Sequence, residues 1–200
     1  MGCAAPNPFH WEDLRNRPQD EILGKRGVAP AAGGPGYEVT FLNARYRVDP
    51  VAESVHEIEP RAGRALAKSF QILLIGYLLV ESAPQLAGNT ITEKELPGGP
   101  TFFRGPHELP VGPIAERFGD DPDGFESRGI ELGGERAEHG DRAVRLWPFA
   151  EIPVTLILWL ADDEFPASVT TLFDASLAGW LSLDMVFLLM GAVTERFVEQ

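Results

Sequence analysis

The chain has 200 residues, of which 44% are hydrophobic and 24% are charged, so it is long enough for one domain with a sizeable core. Lys and Arg number 17 against 30 Asp and Glu, which gives a net charge of -13. This charge repels phosphate backbones and anionic membrane surfaces, and we expect neither a nucleic-acid nor a membrane partner. The single cysteine, Cys3, excludes an intramolecular disulfide and a thiolate metal cluster built from this chain alone.

We expect neither a lipid anchor, a secretion signal nor a membrane span in this sequence. The apolar runs at residues 70–80 and 152–161 are shorter than the roughly 20 residues that span a bilayer. Pro6 stands where an N-myristoylation signal needs Ser or Thr, and no apolar stretch precedes a cleavage site. We expect a cytoplasmic protein. Arg outnumbers Lys, and Ala, Gly and Pro are abundant, which suggests a GC-rich prokaryotic genome.

Residues 1–36 predict an N-terminal arm and loop, and residues 37–200 predict one domain. The arm holds a short helix at residues 11–23, interrupted at Pro18, and a Pro- and Gly-rich loop at residues 29–36. Apolar and polar residues then alternate over residues 37–48 around a turn at Asn43 and Ala44. That alternation predicts a β-hairpin.

Two long helices are predicted. Residues 63–81 are apolar on most sides of a helix, which predicts a central position. Ser182 begins the second helix, whose apolar stripe runs from Val186 to Phe197. Between them the chain is irregular, with a short strand predicted at residues 101–104, a helical turn at 114–118 and a short helix at 122–129.

The stretch over residues 152–174 organises the predicted sheet. Its first part is a continuous apolar run, which predicts a strand buried on both faces. A turn at Phe165 and Pro166 leads into a second, β-branched strand, and residues 142–149 supply another. The fold class is therefore α+β: a single domain with a mainly antiparallel sheet, built from the 37–48 hairpin and the strands between 142 and 174, packed against the two long helices.

The acidic turn of this hairpin supplies the candidate ligand-binding residues, Asp162, Asp163 and Glu164, to which we add Asp174. Carboxylates at the end of a buried strand can hold Mg²⁺ or Ca²⁺, or one of them can act as a general base. The alternative is a solvated hairpin turn with Phe165 plugging the core. Hairpin geometry places Asp174 on the order of 20 Å from Asp163, where it caps a turn. We assign no metal site and no cofactor.

Catalytic signatures are missing as well. The chain has no GxxxxGK[ST], GxGxxG, GxSxG, HExxH or CxxC motif, and its four histidines are far apart. With Gly124 as the sixth residue of a calcium loop, Gly119 and Ile130 stand where Asp and Glu are required, so the EF-hand interpretation fails. A capped helix start explains Asp121 and Pro122 better.

Three functions are compatible with these features. The lack of catalytic signatures favours a non-enzymatic accessory or binding module for a small molecule or a protein partner. The first alternative is a metal-assisted enzyme that uses the acidic cluster at residues 162–164 with His107 or His56. The second is a protein-interaction module whose surface is the Pro-rich segment at residues 97–113, with Phe102 and Phe103.

Several segments resemble the DUF3786 family, a family of uncharacterised bacterial and archaeal proteins that is frequent in anaerobes. The resemblance is carried by GKRGV, YEVTFLNARYRVDP, ILLIGYLL, KELPGGPTFF, ELGG and LWLADDEFPASVTTLFDASLAGWLSLD. Some members carry a cysteine-rich iron–sulfur segment before this domain, whereas this chain has no such cysteines. The resemblance therefore implies a class of protein, without catalytic residues that could be transferred.

Overall fold

A computed structural model describes residues 8–59, 65–80 and 85–199, so Cys3 lies outside the described residues. The chain divides into two compact units. The first takes residues up to Ala83 together with Phe149–Glu151, and the second takes Pro84–Pro148 and the chain from Ile152 onwards. Among the described helices, none combines the length and the apolar character that crossing a membrane requires.

The first unit contains a four-stranded antiparallel sheet. Its strands are β1 (Val28–Pro30), β2 (Tyr37–Phe41), β3 (Ala44–Asp49) and β4 (Ser54–Glu57), in the spatial order β1-β2-β3-β4. The predicted hairpin is β2 and β3, and its turn lies one residue earlier than expected, with Leu42 at a φ of 51°. The predicted loop at residues 29–36 is wrong at its start, because Ala29 and Pro30 pair with Glu38 and Tyr37.

Aromatic rings form the core of the first unit. Its helices are α1 (Pro8–Asn16), α2 (Gln19–Leu23) and α3 (Lys68–Leu79). Phe70 of α3 packs edge-on against Phe41 and Tyr46 of the sheet, with ring centroids 5.0 and 4.9 Å apart. Phe149 stacks on Tyr77 at 3.8 Å and also contacts Phe41. A residue from late in the chain therefore completes a core that is otherwise built from early residues.

The second unit contains a five-stranded antiparallel sheet. Its strands are β5 (Thr90–Ile91), β6 (Glu135–Ala137), β7 (Arg142–Phe149), β8 (Ile152–Trp159) and β9 (Ser168–Asp174), in the order β5-β9-β8-β7-β6. In β8 every residue from Val154 to Leu158 is buried, as its apolar run predicted. The prediction of one sheet from the early hairpin and these strands is wrong, since the two groups form separate sheets.

Helices of the second unit pack against this sheet. They are α4 (Gly99–Phe102), α5 (Gly112–Phe118), α6 (Pro122–Glu131) and α7 (Leu183–Val198), with 3₁₀ turns at Glu93–Glu95, Gly105–His107 and Ala175–Gly179. Phe118, Phe125 and Phe197 bring α5, α6 and α7 together through ring contacts of 5.2 to 6.2 Å. Gly129 lies against Val144 of β7, where a Cβ would approach that side chain to 2.6 Å. The α6 backbone can therefore lie directly on the sheet.

The predicted α+β class with mainly antiparallel pairing is confirmed. The two predicted long helices are α3 and α7, and α3 is shorter than the predicted residues 63–81. The Ser182 hydroxyl caps α7 by accepting a hydrogen bond from the Met185 N–H. The prediction of a short strand at residues 101–104 is wrong, because α4 occupies Gly99–Phe102. Gly98 has a φ of 81° and Pro100 sits in the first turn, and both favour the start of α4 over an extended strand.

Replacing Phe149 tests whether the late segment completes the first unit. Phe149→Ala removes its stacking on Tyr77 and its contact with Phe41, and we expect a loss of about 3–5 kcal/mol in the free energy of unfolding, measured by urea denaturation. Phe165→Ala is the matched control. It removes the same side chain at a position that is 67% exposed, and should change stability by less than about 0.5 kcal/mol. Equal losses in both variants would contradict this role for Phe149.

Candidate functional site

The acidic triplet lies in the loop that joins β8 to β9, and its side chains are exposed. The Asp162 carboxylate accepts hydrogen bonds from the N–H groups of Glu164 and Phe165, at 2.8 and 2.7 Å. The Asp162 N–H in turn donates to the Phe165 carbonyl at 3.0 Å. These backbone hydrogen bonds hold the pKa of Asp162 below its ordinary value. Asp162 therefore acts as the turn former of a rigid loop.

Asp174 lies at the opposite end of β9 and is only 8% exposed. Its carboxylate accepts three hydrogen bonds, from the N–H groups of Ala87, Gly88 and Ser176, at 2.8 to 2.9 Å. Burial raises the pKa of Asp174, but the hydrogen bonds from Ser176, Ala87 and Gly88 outweigh it and leave the pKa lowered. Asp174 thus caps the following 3₁₀ turn and fastens residues 87–88 to the sheet.

The four predicted ligand-binding residues do not converge. The β8–β9 pairing runs from Trp159 and Ser168 to Val154 and Phe173, so Asp174 follows the far end of the hairpin. The length of β9 separates Asp174 from the triplet by on the order of 20 Å. In the part of the chain that the structure describes, no three His, Cys, Asp or Glu side chains are grouped so that they could hold a metal ion. The predicted ligand role of these residues stays a prediction.

Two exposed aromatic residues flank the triplet. Phe165 is 67% exposed, so the expectation that it plugs the core is wrong, and Trp159 at the end of β8 is 43% exposed. The Trp159 indole donates a hydrogen bond to the Thr170 hydroxyl at 3.1 Å. This contact fixes the orientation of the ring across β9. The sequence pattern did not predict that these two side chains are exposed. Large aromatic residues are usually buried, and their exposure here depends on tertiary packing.

The loop between β6 and β7 lies beside the same end of the sheet. The Asp141 carboxylate accepts a hydrogen bond from the Leu160 N–H at 2.8 Å, and the Asp141 N–H donates to the Leu158 carbonyl at 3.2 Å. A Cβ on Gly140 would lie 3.5 Å from the Trp159 ring. The two loops are therefore tied to each other. We call the resulting surface the tip surface, and it consists of Glu138, Asp141, Trp159, Asp162, Asp163, Glu164 and Phe165.

An open cavity of about 360 Å³ adjoins the tip surface. Its lining is polar and consists of Glu126, Ala137, Glu138, His139, Gly140, Asp141, Arg142 and Ala143. Glu126 already pairs with Arg136 at 2.6 Å, whereas Glu138 and Asp141 lie on the exposed loop. A cavity of this size holds a small polar molecule or one long side chain, and its carboxylates favour a cationic group.

The Pro-rich segment at residues 97–113 was expected to expose Phe102 and Phe103, but the structure places these side chains partly or fully in the interior. Phe103 is buried, and Phe102 is half-buried against it with ring centroids 5.0 Å apart. His107 stacks on Phe102 at 4.9 Å and meets the Phe187 ring of α7 at 5.8 Å. His56 lies elsewhere, in β4 opposite Arg47. Part of this segment thus belongs to the core of the second unit.

Comparison with protein families decides the family. The model described as "Domain of unknown function (DUF3786)" matches residues 22–196. The chain belongs to the DUF3786 family. The matched range of this DUF3786 protein contains the tip surface and Asp174. No curated protein matches the chain, and no solved structure matches it. Family membership therefore names a class of domain, and any activity has to be argued from the site itself.

Removing the Asp174 carboxylate tests its role as a backbone clamp. Asp174→Ala removes a charged acceptor from three backbone N–H groups, and we expect a loss of about 1–3 kcal/mol at pH 7. Because folding lowers the pKa of Asp174, this stabilisation is full above its ordinary value of 3.8 and is lost as the pH falls through the lower folded value.

The measurement is urea denaturation of wild type and variant between pH 7 and pH 2.5. The stability difference should shrink at the acidic end. Asp163→Ala, in which an exposed carboxylate is removed, serves as the control and should match the wild type. A constant difference across the whole pH range would show that the Asp174 side chain acts through packing and not through its charge.

Proposed function

We propose that this DUF3786 protein is a binding module that docks a basic protein partner on the tip surface. The observation that carries this proposal is the exposure of two aromatic residues around a rigid acidic loop, Phe165 within it and Trp159 at the strand end that leads into it. Exposed aromatic residues that are grouped together mark interaction sites on proteins, and tryptophan is among the residues that dominate binding energy.

The rigidity of the tip surface favours docking. Asp162 closes the β8–β9 loop through two backbone hydrogen bonds, Thr170 holds the Trp159 indole, and Asp141 fastens the neighbouring loop. A surface that is ordered before binding loses little conformational entropy when a partner arrives. The aromatic rings can therefore contribute most of their burial to affinity.

Charge defines the partner. The tip surface carries five carboxylates, and the chain as a whole has a net charge of -13. An acidic surface attracts a basic one and rejects acidic competitors. The adjoining cavity of about 360 Å³, with Glu138 and Asp141 in its lining, can accept a lysine or arginine side chain of the partner. A cytoplasmic prokaryotic partner is the matching expectation from the sequence.

The other hypotheses have less support from the geometry. A small-molecule ligand would use the same cavity, which is open and polar. The metal-assisted enzyme requires the triplet to meet a second polar segment, and the triplet instead lies exposed on its loop. The hypothesis of a Pro-rich interaction surface is weakened because Phe103 is buried in the core and cannot contact a partner. The metal-assisted and Pro-rich hypotheses stay predictions.

Site-specific photo-crosslinking in the native host identifies the partner. Benzoylphenylalanine replaces Phe165 in one strain and Leu86 in a control strain. Leu86 is 53% exposed and lies next to the Asp174 clamp, at the other end of the sheet. We expect a crosslinked protein that is specific to position 165 and has a basic surface. No product specific to position 165 would overturn the proposal.

Binding of the purified partner then tests the chemistry of the surface. Phe165→Ala and the charge reversal Glu164→Lys should each weaken binding by about tenfold or more, measured by calorimetry, because they remove an aromatic anchor and invert the attracting charge. Affinity for the wild type should fall as salt is raised. Leu86→Ala should bind like the wild type. Unchanged affinity in both tip variants would overturn the proposal even if a crosslink forms.

A further inference from the structure

The cavity beside the tip surface lies against the end of β8 that carries Trp159. Gly140 lines the cavity, and a Cβ at this residue would approach the Ile157 side chain to 2.5 Å and the Trp159 ring to 3.5 Å. Gly140 also has a φ of 52°, a conformation that residues other than glycine rarely adopt. This glycine therefore lets the loop that forms the cavity lie directly on the strand, next to the aromatic ring.

Two carboxylates in the cavity lining are available to a ligand. Within the described part of the chain, the Glu138 carboxylate forms no hydrogen bond and no ion pair. The Asp141 carboxylate accepts a hydrogen bond through Oδ2 from the N–H of Leu160, the residue that follows Trp159, at 2.8 Å. An ionised carboxylate can accept several hydrogen bonds, so Asp141 can still accept one from a ligand. Its position also keeps this carboxylate near the aromatic ring.

The two arginines near the cavity are already neutralised. Arg136 pairs with Glu126 at 2.6 Å, and Arg142 lies 3.3 Å from Asp123 and 4.0 Å from Glu126. These two positive and two negative groups balance each other. The two available carboxylates therefore set the net charge of the cavity, and a cation that enters it meets a negative environment.

The Trp159 ring adds a preference among cations. It is 43% exposed, and its indole N–H donates to the Thr170 hydroxyl at 3.1 Å, which holds the ring in one orientation. Tryptophan attracts cations more strongly than the other aromatic side chains. A planar guanidinium can stack on such a ring while its five N–H donors reach carboxylates, whereas an ammonium is a compact and strongly hydrated point charge.

We propose that the cavity binds an arginine side chain of the basic partner and selects arginine over lysine. This inference rests on the docking role proposed above and adds the side chain that is recognised. The guanidinium stacks on Trp159 and donates hydrogen bonds to Glu138 and Asp141. Lysine carries the same charge, but it cannot stack as a plane or direct paired donors to the carboxylates.

Two small probes of equal charge test this selectivity, namely N-acetylarginine methylamide and N-acetyllysine methylamide. Each is titrated at pH 7.5 into the full chain labelled with nitrogen-15, and nuclear magnetic resonance follows the Trp159 indole N–H and the Gly140 amide. We expect saturable shifts at both positions and a Kd at least about threefold lower for the arginine probe. Equal affinity for the two probes would overturn the inference, and so would an absence of saturable shifts with both.

Three variants assign the preference to individual residues. Trp159→Leu should remove the difference in Kd between the probes, because both cations then meet only carboxylates. Glu138→Gln should weaken binding of both probes by about threefold or more. Glu108→Gln removes an exposed carboxylate outside the cavity lining and should bind both probes like the wild type. An undiminished preference for arginine in Trp159→Leu would contradict stacking on this ring.

The outcomes separate this inference from the docking proposal. If a partner is crosslinked at Phe165 and depends on Glu164, but the two probes bind equally, docking stands and the selection of arginine is refuted. If the arginine probe is preferred and no partner is crosslinked at Phe165, docking is refuted, and the cavity is a guanidinium site of another function.

Discussion

The second unit depends on the burial of β8 at the centre of its sheet. Strands lie on both sides of β8, and its residues from Val154 to Leu158 are buried. A strand of this kind leaves no room for charged groups along its length, so polar chemistry is confined to its two ends. One end carries the acidic loop with its two exposed aromatic rings, and the other carries Asp174.

The two ends use carboxylates in opposite ways. The buried Asp174 carboxylate accepts hydrogen bonds from three backbone N–H groups. Two of these belong to Ala87 and Gly88, so the carboxylate holds a segment distant in sequence against the sheet. Asp162 is exposed and organises only its own loop. Both carboxylates have a lowered pKa for the same reason, namely hydrogen bonds from backbone amides. Hydrogen bonds from backbone amides therefore stabilise a carboxylate at a buried end of the hairpin and another at its exposed end.

Local pattern predicted much of this fold. The alternation in β2 and β3, the apolar run of β8 and the Ser182 cap are encoded in a few neighbouring residues each, and all are confirmed. Pairing between distant strands is not encoded in that way, which is why the two sheets were expected as one. The exposure of Phe165 and the burial of Lys25 are set by tertiary packing. Each residue occupies the environment opposite to the usual one for its type, so composition and periodicity point the wrong way at both.

The position of Phe149 also bears on how the protein is made. The ring that stacks on Tyr77 emerges from the ribosome only after the whole of Pro84–Pro148 has been synthesised. At roughly 5–20 residues per second, the early aromatic core waits several seconds for its last member. During that interval Phe41 and Tyr77 lack a ring that both contact in the finished protein. The first unit is therefore complete in sequence only when the β7–β8 turn has been synthesised, although most of its residues leave the ribosome much earlier.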